Sequence, residues 1–225
     1  MNQENATAPC KWGARTGLRF EPLTAPDGGV NGVEGAVYSW VKSYLSAPHA
    51  ELGRPGDVCP YTGASLESEK FWVTTMSEPA VTMDAARDLL EDAIEIYTEL
   101  VSTDTAKAKL ATVVMLLPAM GDFGVVEAVQ KTMKSAFVEK GLMIGQFYPG
   151  CPEPGLWNSE FHPLDAPIPM LAVRGMVPSD FPFLIRDLTW LKSYLKKFAP
   201  EVPAKLRSQL ATAVSGADDE GGDRA

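Results

Sequence analysis

Apolar positions along the chain recur at two periods, and each period predicts an element. At spacings of three and four, Val33, Val37, Trp40, Val41 and Tyr44 share one stripe, so "NGVEGAVYSWVKSYL" predicts a helix that Pro48 stops. A longer stripe of Ala86, Leu89, Leu90, Ala93, Ile96, Tyr97 and Leu100 follows a Thr82 cap and an acidic first turn, which predicts a second helix. A third runs from Gly121 to Lys140, entered at "GDFG" and closed by Gly141. The last, "PSDFPFLIRDLTWLKSYLKKF", takes Ser179 or Asp180 as its cap. It places Leu184, Leu188, Leu191, Tyr194, Leu195 and Phe198 on a buried face, and a shorter helix follows from Ala204.

Between these stripes lie short apolar runs. "KFWVTTM" is β-prone, and "ATVVMLLPAM" is apolar almost throughout, the pattern of a strand covered on both faces. "LMIGQFYPG" and "IPMLAVRGM" read as two further strands on either side of the irregular insert "CPEPGLWNSEFHPLDAP". The order predicts an α+β fold: a single mixed sheet of about four strands covered by helices, its last two strands antiparallel, with long Pro/Gly-rich loops. Residues 1–31 are polar and rich in Gly and Pro, so they read as an irregular arm that Trp12, Leu18 and Phe20 could pin to the body. Residues 32–213 form one domain, and residues 214–225, with "SGADDEGGDRA", a disordered acidic tail.

Composition narrows the function classes. With 225 residues and 45% hydrophobic content the chain can bury one sizeable core. A formal net charge of −9, with no basic block, excludes nucleic acid and anionic lipid as partners. No apolar run approaches the roughly 20 residues that span a bilayer, so no membrane partner is expected. The N-terminus has no secretory pattern, and three widely spaced cysteines do not read as a disulfide framework. The expected setting is cytoplasmic, with free thiols, a small-molecule substrate as partner, and an oligomeric state that includes a homodimer among its options.

Walker loop, nucleophile elbow, paired-cysteine zinc spacing, His-Glu helix motif and calcium loop are all missing, and no Gly-rich turn follows the first strand. Two irregular segments carry what chemistry there is: "PHAELGRPGDVCP" and "GCPEPGLWNSEFHP", each with one histidine and one Cys-Pro pair. His49 and His162 are candidate metal ligands, because neutral imidazole suits heme iron and other transition metals. Either could equally be a hydrogen-bonded loop residue. Cys59 before Pro60 is a candidate cofactor contact or a small buried hydrophobe. If the insert folds over the strand ends, His162 and Tyr148 should face a common crevice with Arg174 at the end of the next strand. Tyr148 and Arg174 are thus the candidate catalytic pair, able to fix a carboxylate or a porphyrin propionate. Arg54 and Lys70 are further anion contacts or ordinary loop charges. Asp122, Asp165 and Asp180 read as caps.

The stretches "PHAELGRPGDVCPYTGAS", "GQFYPG" and "FHPLDAPIPMLAVRGMVPSDFPFL" together resemble an actinobacterial family of uncharacterised domains, over about residues 37 to 195. More remotely, the order of a helix, a Cys-containing loop, an aromatic strand, two helix–strand units and a late strand with an Arg is similar to small heme-dependent N-hydroxylases of guanidines. That similarity implies heme, with Cys59 in the loop leading into the sheet and His49 or His162 on the iron. The chain departs from it by having Tyr148 where a second histidine would follow "GQF". The function expected is a heme-binding oxygenase-type tailoring enzyme of specialised metabolism, acting on a small nitrogen-containing or amino-acid-derived substrate. The alternatives are a cofactor-free ligand-binding or accessory scaffold protein, and a zinc protein built on Cys59, Cys151 and the two histidines.

Overall fold

The computed structural model describes residues 9–26, 31–79 and 81–201. Six strands make one mixed sheet: β1 (Lys11–Trp12), β2 (Arg19–Pro22), β3 (Phe71–Thr75), β4 (Thr112–Leu116), β5 (Leu142–Phe147) and β6 (Met170–Gly175), in the order β1-β2-β3-β4-β6-β5. β3 and β4 are parallel, and every other neighbouring pair is antiparallel, including β5 with β6. The sheet is therefore α+β as expected but two strands larger. Both additions lie in residues 9–26, where the Gly/Pro content had suggested irregular chain.

Alternation along the central strands divides the core in two. Trp72, Val113, Met115, Leu171, Val173 and Ile144 face α3 (Met83–Thr103) and α4 (Phe123–Glu139). Phe71, Val73, Val114, Leu116 and Met170 face the opposite side, against Val37 and Val41 of the first helical segment. Because β4 is buried on both faces, its run has no polar alternation. A third cluster of Val138, Met143, Met176, Leu184 and Phe198 closes the β5 edge.

α3 starts where its cap predicts, with the Thr82 side chain accepting from the Ala85 N–H at 3.2 Å, and its apolar stripe is buried as read. That stripe also carries the buried Asp92, which fastens the β1–β2 hairpin. Its carboxylate accepts from the Thr16 N–H (2.9 Å) and hydroxyl (2.7 Å), and from the Arg15 N–H (3.1 Å) and guanidinium (3.3 Å). Gly13 passes so close that a Cβ there would lie 2.2 Å from Asp92 Oδ2.

The first helix, α1 (Gly32–Trp40), continues as a wider turn over Val41–Leu45, in which the Ser46 N–H bonds to Val41 O five residues back. Its chain then doubles back through Pro48 and a three-residue turn at Ala50–Leu52 to the short α2 (Thr62–Glu67). The single long helix expected after residue 178 is two, α5 (Phe181–Leu184) and α6 (Leu188–Phe198). Asp187 breaks it by capping α6, accepting from the Thr189 and Trp190 N–H groups at 2.8 and 3.1 Å. Leu188 consequently sits at a corner, 46% exposed, and leaves the predicted buried face. Asp180 does not cap a long helix: its carboxylate binds Arg174 and the Val177 N–H. The predicted helix from Ala204 and the acidic tail lie outside the described residues. Among the described residues, no helix is long and apolar enough to cross a membrane.

Candidate functional site

The two Pro/Gly-rich loops meet. Asn158 in the insert donates to Glu51 O at 2.8 Å, and the Tyr44 hydroxyl donates to His162 O at 3.3 Å. Gly53, at φ +76°, packs directly under Trp157, where a Cβ would come within 2.9 Å of that side chain. Between the loops lies a crevice of about 600 Å³. His49 and His162 both line it.

Its wall is aromatic and comes from three elements. α1 ends in Trp40, and the wide turn that follows presents Tyr44, stacked on Trp40 at 5.9 Å. Tyr44 meets His49 edge-on at 5.8 Å, and the insert sets Phe161 against His49 at 4.7 Å and Tyr44 at 6.2 Å. Phe147, at the end of β5, buttresses Trp40 from the sheet side at 5.8 Å. In a regular α-helix Tyr44 would follow Trp40 on the same stripe; the extra residue in the turn changes its azimuth before the chain leaves at Pro48.

The rim is acidic. Glu51, Glu160 and Asp165 line the crevice, which has no lysine or arginine among the described residues. Asp165 accepts from the Gly150 N–H at 2.8 Å. Burial, together with the charge of Asp165, pushes the Tyr44 phenol up to about 12.

The histidines differ in their hydrogen bonding. His49 Nδ1 accepts the Glu51 N–H at 3.2 Å, which caps the Ala50–Leu52 turn and leaves Nε2 as the protonated nitrogen of the neutral ring. A neutral His49 in that tautomer has no lone pair at Nε2 for a metal. His162 Nδ1 lies 3.4 Å from Glu153 O, the arrangement in which Nδ1–H donates and Nε2 is a free donor to a metal. Of the two, His162 has the geometry of a ligand.

The other sequence candidates lie apart from the crevice. Tyr148 is buried behind it, stacked on Phe123 at 5.1 Å and donating to Glu127 in a short hydrogen bond. Burial, then the bonds with Glu127 and Cys151, holds its phenol above the ordinary range. The turn Tyr148–Cys151 puts it there: the Cys151 N–H bonds to Tyr148 O at 3.1 Å, and Gly150 supplies the φ of +70° that the turn needs. Arg174 sits at the far end of β6, because Met170, not Arg174, pairs with Phe147 near the crevice. There its guanidinium forms a two-pronged bridge to Asp180 at 2.6 and 2.7 Å. Arg54 donates to the carbonyls of Pro55, Asp57 and Val58, bracing its own loop. Cys59 packs half-buried in the second core, its N–H on Leu45 O. Lys70 lies 4.0 Å from Asp104 and donates to Leu100 O.

The three cysteines are free thiols, and among the described residues no group of three or more His, Cys, Asp or Glu side chains could hold a metal ion. The zinc arrangement therefore has no assembled site there. Sequence reasoning missed Trp40, Tyr44, Glu51 and Glu160 as lining residues. The first two belong to a helical stripe that reads as core, and the acids read as solvated loop.

A family described as a domain of unknown function (DUF6875) matches residues 34–209. No curated protein and no solved structure matches the chain.

Proposed function

The chain belongs to this family of unknown function, and from that premise we propose that it is a cofactor-free protein that binds a small molecule in the crevice between its two Pro/Gly-rich loops. One observation carries this: two loops distant in sequence converge on a single concave surface of about 600 Å³ with a continuous aromatic wall. Ligand sites combine that apolar lining with a few polar groups placed to fix orientation. Glu51, Asp165 and the two imidazoles are those groups here.

A heme-dependent oxygenase acting on a small nitrogenous substrate is the second reading, favoured by the two imidazoles on one crevice. His162 would hold the iron, and the heme would supply oxygen activation. The crevice fits the ring's aromatic surroundings and not its propionates, which would face Glu51, Glu160 and Asp165 with no lysine or arginine among the described lining residues.

Absorption spectroscopy on protein expressed with heme supply separates the two. No Soret band is expected. A band that disappears in His162→Ala would overturn the cofactor-free reading. Binding itself is tested by titrating a set of small aromatic amines, acids and neutral amides while following tryptophan fluorescence in wild type and Trp40→Phe. Saturable quenching that Trp40→Phe abolishes is expected, and no saturable response to any of them would sink the proposal.

A further inference from the structure

We infer that the ligand of this crevice is a small organic cation, an amine, amidine or guanidinium carried on a flat or apolar body. The inference rests on the crevice being a binding site, and adds the charge of what enters. Two independent features meet in it. Trp40, Tyr44 and Phe161 line the crevice, and the face of an aromatic ring attracts a cation through its quadrupole.

Carboxylates supply the second feature. Glu51, Glu160 and Asp165 come from both loops, so a ligand between them would be held from two sides. None of the three forms an ion pair among the described residues. Asp165 anchors itself by one oxygen on the Gly150 N–H and keeps the other without a partner there. The positions of Glu51 and Asp165 are fixed by backbone, through the Glu51 N–H on His49 and the Tyr148–Asp165 bridge. In a chain of net charge −9, gathering three unneutralised acids around an apolar concavity is unfavourable unless a positive charge joins them.

Both imidazoles line the crevice with Nδ1 held by backbone, which leaves a proton on Nε2 of His49 and a lone pair on Nε2 of His162, so only the second can accept from a bound ammonium or guanidinium. Recognition would then combine Glu51, Glu160 and Asp165 for charge, His162 for direction and the aromatic wall for the apolar body.

The test uses the full chain and three probes that each carry a phenyl ring, benzylguanidinium, its neutral isostere benzylurea and the smaller anion benzoate, titrated by calorimetry at low salt. Benzylguanidinium is expected to bind at least tenfold more tightly than benzylurea, with no binding of benzoate. The Glu51→Gln, Glu160→Gln double variant should weaken the guanidinium about tenfold and leave the urea unchanged; both positions are exposed, so the fold tolerates them. If urea or benzoate binds as well as the guanidinium, the charge assignment is overturned and the crevice survives as a site. If the guanidinium binds equally to the double variant, a cation is not held from both loops by Glu51 and Glu160, and the inference is overturned. If none of the three binds while another molecule of the fluorescence set does, the inference likewise falls, and the binding reading does not.

Discussion

At the scale of single residues, the half-buried Tyr44 and the buried Asp92 make opposite statements about pH. Tyr44 is held neutral by burial and by the nearby Asp165, its phenol pushed up to about 12 from 10.0. The unfolded chain therefore ionises first: the contribution of Tyr44 to stability is complete below pH 10 and is lost as pH rises toward 12. Tyr44→Phe is expected to flatten that alkaline decline in urea melts run across the interval, and an unaltered slope would contradict the assignment. For Asp92, burial alone would raise the carboxyl, but the donors from Thr16 and Arg15 outweigh it and hold the group below its ordinary 3.8. The folded state thus binds its proton less readily, so this contribution is present above pH 3.8 and disappears as acid titrates the folded carboxylate. Replacing Asp92 with Asn turns an amide toward donors and should cost about 2 to 4 kcal/mol at neutral pH, with much of the acid sensitivity removed.

At the scale of elements, the crevice depends on how two irregular loops are pinned together. Gly53 is the tightest point, since it needs a positive φ and has Trp157 against the place where a side chain would begin. Gly53→Ala should strain the His49 loop and push the insert away, weakening ligand binding at least tenfold while the sheet melts within a few degrees of wild type. Hydrogen exchange would locate the change: faster exchange in residues 49–58 and 154–166 is expected, and protection unchanged there would show that the contact has no such role. Asp187 shows the same dependence on local chemistry in a helix, where one capping side chain divides an apolar stripe that periodicity alone reads as continuous.

For the whole molecule, the charge of −9 predicts self-repulsion, relieved by salt. Raising ionic strength from about 10 mM to about 150 mM shortens the screening length from roughly 30 to 8 Å. The melting temperature should rise over that range, and a fall would mean that local ion pairs such as Arg15 with Glu91 and Glu95 outweigh the net charge. Much of this architecture is legible in the sequence because it follows from period. The stripe on α3, the doubly buried β4 and the antiparallel β5–β6 pair are patterns that only one local structure satisfies. β1 and β2 are not legible, since a two-residue and a four-residue strand carry too little pattern and owe their place to a distant carboxylate, Asp92. The convergence of the His49 and His162 loops was foreseeable only as a condition on the insert. Tyr148 and Arg174 lie elsewhere because a tight turn and a strand register, neither visible in periodicity, decide where those side chains go.

The wide turn over Val41–Leu45 holds one residue more than an α-helical turn would. Loss of the Lys42 or the Ser43 codon, both exposed positions, would let the helix run on in register, with the sheet, both cores and the second loop intact. Tyr44 would then follow Trp40 by three residues instead of four, turned from the position in which it now meets His49 and Phe161, and the aromatic wall would lose its continuity. Relatives one residue shorter at this point should therefore share the fold and lack the crevice, so length at a single place in an alignment would divide binders from non-binders more sharply than the identity of either histidine.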